Sequence, residues 1–218
     1  GAMARPAGRG ELTLMASDDH RALEVYPETG AFWYKDTRAL WSGDKPGSPL
    51  DEASGAALAS ILLRGWGLLP EEMLFESMGH SQVTTYDVTT GQGETYVTDL
   101  HVNYRLWVGG LPVAGPGGKI KVYLGEGYNV IGIYWAGFQV KPLRMYPIIP
   151  PQSALETLEA QGIATTLKDP RQATVTQVSL VYYAGPGNQA QTHLEPVYRF
   201  GGTIQGEGAS GDFVQYVP

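Results

Sequence analysis

The sequence predicts an α+β chain in which a helix and a set of antiparallel strands occur twice, in two successive units. Three observations carry this reading. Glycine (29) and proline (15) are plentiful in the 218 residues, and they fall between short runs of alternating apolar and polar residues, the punctuation of strands and turns. Tyrosine is abundant (13), as suits half-buried sheets. Two segments, opening at Asp51 and near Ser153, repeat apolar residues at helical rather than alternating spacing.

In chain order, Gly1-Ala2-Met3 has the form of a cloning remnant. Ala4 to Gly10 reads as a flexible arm, of the kind left beside a trimmed signal peptide or lipid anchor. Leu12 to Met15, Ala22 to Tyr26 and Ala31 to Tyr34 are expected strands, the last two joined by the tight turn Pro27-Glu28-Thr29-Gly30. They form a β-hairpin extension ahead of the first unit. Asp51 supplies a helix cap and Glu52 adds negative charge to the first turn. Ala57, Leu58, Ile61, Leu62 and Trp66 make an apolar stripe, and Gly65 and Gly67 end the helix near residue 66. Strand character returns at Gln82, turns at Gly91-Gln92-Gly93, and runs on from Glu94 to Val108. In that run Leu100, Val102, Tyr104 and Leu106 share one face, and His101, Asn103, Arg105 and Trp107 share the other. Gly115-Pro116-Gly117-Gly118 is expected to be a hairpin turn into Ile120, Val122 and Leu124, and Gly125-Glu126-Gly127 leads into Asn129 to Tyr134. After the proline-rich linker Pro147 to Pro151, a second helix carries Ala154, Leu155, Leu158 and Ile163. Strands follow at Thr174 to Tyr183, His193 to Ile204 and Asp212 to Val217. The expected division is therefore 1–10 for remnant and arm, 11–150 for the N-terminal unit and 151–218 for the C-terminal unit.

Composition narrows the function. The net charge of −7 opposes a nucleic-acid role, which needs clustered Lys and Arg. The densest basic pair, Lys119 and Lys121, falls on one face of an expected strand, where a solvated outer face accounts for it. No run approaches the roughly 20 apolar residues of a membrane helix. The absence of cysteine excludes disulfides, thiolate metal sites and a Cys nucleophile, and fits an exported protein in an oxidising space.

Catalytic signatures are missing. His20, His80, His101 and His193 have no ligand spacing, and Asp18-Asp19-His20 has the composition of a turn. No Gly-x-Ser-x-Gly elbow occurs; Gly79-His80-Ser81 lacks the second glycine. The glycines at 115–118 lack the Lys-Ser/Thr ending of a phosphate loop. No cofactor is implied. Glu71, Glu72 and Glu76 cluster, with a solvated acidic face as the default and paired carboxylate chemistry as the alternative. The aromatic residues are more informative. Trp33 and Trp41 lie near the N-terminus, and Trp107 stands beside Arg105 and Asn103 on the face opposite Leu106. Either this face recognises a partner or it packs against other parts of the chain.

His101-x-x-Tyr104-Arg105, followed by Gly110-Leu111-Pro112-Val113 and a turn into Lys119-Ile120-Lys121-Val122, resembles the propeptide domains of thermolysin- and fungalysin-type metalloproteases. Ala154 to Gly162, Leu180-x-Tyr182-Tyr183 and Leu194-Glu195-Pro196-Val197-Tyr198-Arg199-Phe200 are similar to the related PepSY domain. YycI-like regulatory lipoproteins use comparable units. The resemblance spans Asp51 to Val217. It implies two cystatin-like units, each a helix on an antiparallel sheet, and roles in inhibition, chaperoning or protein contact. No His-Glu-x-x-His occurs and no catalytic domain follows in the sequence, which speaks against maturation of an attached protease and leaves action in trans open. The expectation is a non-catalytic protein-interaction, protease-inhibitory or regulatory module at the cell surface or outside the cell. Its partner would be a protein such as a protease or a membrane-bound regulator, with contact through Asn103, Arg105, Trp107, Leu111, Pro112, Trp33 and Trp41. The alternatives are a small hydrolase with a cleft between the units, and a carbohydrate- or peptide-binding module that stacks ligands on tryptophan.

Overall fold

The computed structural model describes residues 3–6, 12–15, 19–40, 44–45, 51–143, 145 and 147–218. It is α+β: two α-helices and a set of mostly antiparallel strands. Contacts divide the chain into two compact units. The first holds Gly1–Trp107, Gly115–Gln139 and Gly185–Gln191; the second holds Val108–Ala114, Val140–Ala184 and Thr192–Pro218. Among the described residues no helix is long and apolar enough to cross a membrane.

In the first unit the strands are β1 (Met3–Pro6), β2 (Leu12–Met15), β3 (Arg21–Tyr26), β4 (Ala31–Asp36), β5 (Met73–Tyr86), β6 (Gly93–Val108), β8 (Lys119–Leu124) and β9 (Val130–Ala136). β7 (Leu111–Ala114) belongs to the second unit. The first-unit order is β1-β2-β3-β4-β9-β8-β6-β5, with every neighbour antiparallel. β1 lies inside the segment read from sequence as remnant and arm, and it pairs with β2. The turn between β3 and β4 closes as its Pro-x-x-Gly form predicts: the Gly30 N–H donates to the Tyr26 carbonyl at 2.8 Å, with Gly30 at φ +73°.

Helix α1 (Glu52–Gly65) starts where the sequence places it. The Asp51 carboxylate accepts from the Ser54 N–H at 2.7 Å, and the Leu68 N–H closes the other end on the Leu63 carbonyl at 2.8 Å. Its buried face differs from the predicted stripe. Gly55, Ala59 and Leu63 are buried, while Ile61 and Trp66 are exposed. The reason is size. A side chain at Gly55 would press on Leu100 and Leu124, so the helix approaches the sheet closely at Gly55 and Ala59, buries Leu63 at its C-terminal end and leaves Ile61 and Trp66 outward. Beneath it lie Leu100, Val102, Tyr104, Leu106, Ile120, Val122 and Leu124, all essentially inaccessible. The Tyr104 hydroxyl meets the Ser60 hydroxyl at 2.7 Å, which satisfies the polar tip of this buried ring.

β5 begins at Met73, nine residues before its expected start at Gln82. A bulge between Phe75 and Ser77 breaks the alternation there, which hides the strand from a period-two reading.

The second unit contains helix α2 (Pro151–Gln161), β10 (Gln172–Tyr183), β11 (Glu195–Gly206), β12 (Ala209–Val217) and β7. Its order is β7-β10-β11-β12, antiparallel except that β7 runs parallel to β10. The chain at 115–118 therefore links β7, bonded to β10, with β8, bonded to β6 and β9; it was expected to be a hairpin turn between two paired strands. Ala154 and Leu158 of α2 pack with Tyr198, Phe200, Ile204, Phe213 and Val217.

Candidate functional site

The strand pleat fixes the site. Because α1 takes the even-numbered face of β6, the odd-numbered face presents Asp99, His101, Asn103, Arg105 and Trp107. Register extends this face across the first unit. Ser77 pairs with Asn103, Asn103 with Lys121, Lys121 with Tyr134, Tyr134 with Trp33 and Trp33 with Glu24, so one row crosses six strands. A second row joins Gly79, His101, Tyr123, Gly132 and Lys35. A third sets Leu74 opposite Arg105, Arg105 opposite Lys119 and Lys119 opposite Ala136.

Two glycines shape the middle row. A side chain at Gly79 would collide with the His101 ring, and one at Gly132 would come within 3.1 Å of the Tyr123 ring. Each ring thus lies over a glycine, and the two rings meet with centroids 5.5 Å apart. Ammonium groups sit over three rings of this face: Lys35 is 4.3 Å from the centre of Trp33, Lys121 is 5.4 Å from Tyr123, and Lys119 is 5.7 Å from Tyr134. The bulge in β5 aims Glu76 at this face, where its carboxylate accepts from Arg105 Nε at 3.0 Å; Arg105 Nη1 also donates to the Gly115 carbonyl at 3.1 Å. Asn103 Nδ2 donates to Ser77 Oγ at 3.1 Å. Leu74 and Trp107, at 47% and 38% exposure, flank the arginine.

Burial, with Arg105 and Lys121 alongside, holds the Lys119 ammonium below its ordinary value, and Glu76 acts in the opposite sense. Burial pushes the Tyr123 phenol up, and the Asp99 carboxylate adds to this. Burial also raises Tyr134, partly offset by its bond to the Gly187 backbone. Asp99 is buried at 1% exposure and accepts from Ser81 Oγ at 3.2 Å, with His101 Nδ1 at 3.5 Å. Serine, aspartate and histidine meet here in the wrong order for acyl transfer. The hydroxyl and the imidazole both address the same carboxylate, whereas an activated serine bonds to the histidine itself.

Of the residues singled out from sequence, Asn103, Arg105, Trp107 and Trp33 share this face. Leu111 and Pro112 lie on β7 in the second unit, and Trp41 falls outside the described residues, as does Asp18. Trp33 is half-buried, packed by Lys35 and edge-on to Tyr134 at 6.0 Å. Lys119, Lys121, Tyr123, Tyr134 and Glu76 belong to the site without having been assigned to it from sequence. The signal was available in the phase of Lys119 and Lys121, which matches that of Arg105 once the two strands are paired. Glu76 had no such signal, because only the bulge turns it inward.

Other parts of the molecule offer less. Among the described residues no group of three or more His, Asp or Glu side chains is arranged to hold a metal ion. His193, just ahead of β11, pairs with Glu195 at 3.0 Å, and His80 on β5 pairs with Gln82 at 3.0 Å; both are exposed. An open depression of about 480 Å³ in the first unit is lined by Arg21, Tyr34, Asp36, Glu126 and Asn129. Another, of about 540 Å³ in the second unit, is lined by Thr165, Leu167, Ile204, Asp212 and Phe213. Compared with protein-family models and with curated proteins, the sequence gives no match.

Proposed function

We propose that this chain is a non-catalytic protein-interaction module acting outside the cytoplasm, and that its contact surface is the odd-numbered face of β6 and the strands beside it. The observation that carries the proposal is the exposed Trp107 and Leu74 beside Arg105, on the sheet face opposite α1. Tryptophan and arginine are the residues that most often dominate binding energy at interfaces, because each covers a large area and can still form polar contacts. The Glu76 bond and the Gly115 carbonyl hold Arg105 in place, so little side-chain entropy is lost when a partner arrives. The shared carboxylate of Ser81 and His101 favours this reading over a hydrolase. The finer assignment to cystatin-like, PepSY-like units with an inhibitory or regulatory role belongs to the same proposal. Its support is that each compact unit combines one α-helix with antiparallel strands.

The test compares the wild-type chain with Trp107→Ala. Immobilised wild type is expected to retain a partner from an extracellular or cell-surface fraction, or to inhibit a member of a protease panel. Trp107→Ala should weaken either effect about tenfold or more, with unchanged circular dichroism. Equal retention by the two proteins, or turnover of a substrate by the purified chain, would remove this proposal.

A further inference from the structure

The face is open at Leu74 and Trp107, and its charge is unevenly neutralised. Arg105 and Lys119 are directly opposed on neighbouring strands, and Lys121 follows Lys119 two residues along β8. Like charges in directly opposed positions destabilise a sheet. The chain has 22 acidic residues, yet the strand partners of Lys119 are Arg105 and Ala136, and those of Lys121 are Asn103 and Tyr134. Lys35 shows the alternative arrangement on the same face: its ammonium meets the Glu24 carboxylate at 2.6 Å. For Arg105, Lys119 and Lys121 together, the carboxylate at hand is Glu76, bonded to Arg105. The Asp99 carboxylate on the same face is taken up by Ser81 and His101, and among the described residues Lys119 and Lys121 form no ion pair, so two ammonium groups stand without a carboxylate on a protein whose net charge is −7.

We infer that this face docks an extended acidic segment of a protein partner, with carboxylates seated on Lys119 and Lys121. The inference rests on the reading of the face as a contact surface and adds the chemistry of what is contacted. Geometry favours an extended peptide. Lys119 and Lys121 are spaced as alternate residues of a strand, about 7 Å apart, and a peptide in extended conformation presents alternate side chains at the same interval. Arg105 lies one strand away, about 5 Å to the side, and adds positive charge beside the lysines while its own donors engage Glu76 and the Gly115 carbonyl. Tyr123 and Tyr134 hold the lysine ammoniums over their rings, and Trp107 and Leu74 supply apolar contact at the edge. A nucleic acid would meet the net negative charge of the rest of the chain over its whole length. Lys119 and Lys121 are half-buried residues, which suits a single strand laid between neighbouring side chains better than the flat headgroup layer of a membrane.

The test uses the whole chain and a fluorescein-labelled peptide of alternating Glu and Gly, with a Lys-Gly peptide as its opposite and phosphatidylserine vesicles as the membrane arm. Anisotropy should rise and saturate with the Glu-Gly peptide only, and the affinity should fall as salt is raised. The double substitution Lys119→Gln and Lys121→Gln should weaken binding about tenfold or more. Lys168→Gln, on an exposed second-unit lysine, should leave binding unchanged. If the double variant does not fold, Lys121→Gln alone carries the test, with a smaller loss expected. Thermal unfolding supplies an independent readout, because removing Lys119 from its place opposite Arg105 should leave stability equal or higher, whereas a purely structural lysine would lower it. No Glu-Gly binding, binding indifferent to both lysines, or binding to vesicles without binding to the peptide would overturn the inference. A partner whose capture depends on Trp107 but is neither competed by the Glu-Gly peptide nor weakened by salt would also overturn it, while leaving the contact surface itself standing.

Discussion

At the scale of single residues, the positions that matter most are those where a side chain has no room. Gly202 on β11 lies opposite Val175, next to the bulge between Val175 and Gln177, and a β-carbon there would overlap the backbone carbonyl oxygen of Thr174. Backbone cannot swing aside as a flexible side chain can. Gly202→Ala is therefore expected to cost about 2–4 kcal/mol. Gly201→Ala, one residue away, meets nothing closer than 3.8 Å and should be nearly neutral. Urea midpoints of the two variants decide this, and equal midpoints would show that the bulge yields. A gentler case is Tyr104→Phe. It removes the hydroxyl bonded to Ser60 but leaves Ser60 its bond to the Ala56 carbonyl at 3.1 Å, so a loss of about 1 kcal/mol is expected from denaturant titration. At the proposed contact face the residue scale also shows what was legible. The phase of β6 placed Asn103, Arg105 and Trp107 together correctly, because alternation within one strand needs no knowledge of neighbours. Lys119 and Lys121, read as a solvated face, joined the site only through the pairing of β8 with β6, a non-local fact.

At the scale of elements, α1 separates what propensity determines from what packing determines. Its start and stop follow from Asp51 and Gly67, both local signals, and both were visible. Its orientation was not, because the largest apolar residues suggested a stripe through Ile61 and Trp66, whereas contact with the sheet selects Gly55, Ala59 and Leu63. This difference is measurable. Leu63→Ala should cost about 2–5 kcal/mol, as expected for a fully buried leucine on the sheet-facing side of a helix, and Ile61→Ser should stay within about 0.5 kcal/mol. The reverse ranking would mean that α1 is rotated relative to this description. The hairpin at the end of β5 makes the same point about local signals. Asp87 accepts from the Thr89 and Thr90 N–H groups at 2.7 and 3.1 Å, and Gly91 adopts φ +69°, so the turn announced by Gly91-Gln92-Gly93 forms as read. These bonds hold the Asp87 carboxyl below its ordinary value.

At the scale of the whole molecule, the strands themselves were largely legible and their pairing was not. Alternation identifies a strand from its own residues. Partner choice depends on chain segments far apart, as in the parallel contact of Val113 with Tyr182, and no local pattern encodes it. The pairing also buries titratable groups together, and this has a consequence at high pH. Burial raises the phenols of Tyr104, Tyr123 and Tyr134 above their ordinary value of 10.0, so in the folded chain each stays protonated over a range in which the unfolded chain has already ionised. The unfolded state then binds fewer protons than the native state, and the stability that these phenols contribute is complete below 10.0 and lost as pH rises through their folded values. Lys119 has the opposite sign. Its folded value lies below the ordinary 10.5, so it costs stability at lower pH and recovers it as the ammonium of the unfolded chain also deprotonates. Three phenols against one amine give a net fall in stability above about pH 10. Urea midpoints followed from about pH 8 to about pH 11 should stay level and then drop, and the drop should be shallower in Tyr134→Phe, which removes one of the three phenols. A midpoint that holds through this range would mean that these rings are not buried as described, and with them the aromatic floor beneath Lys119 and Lys121.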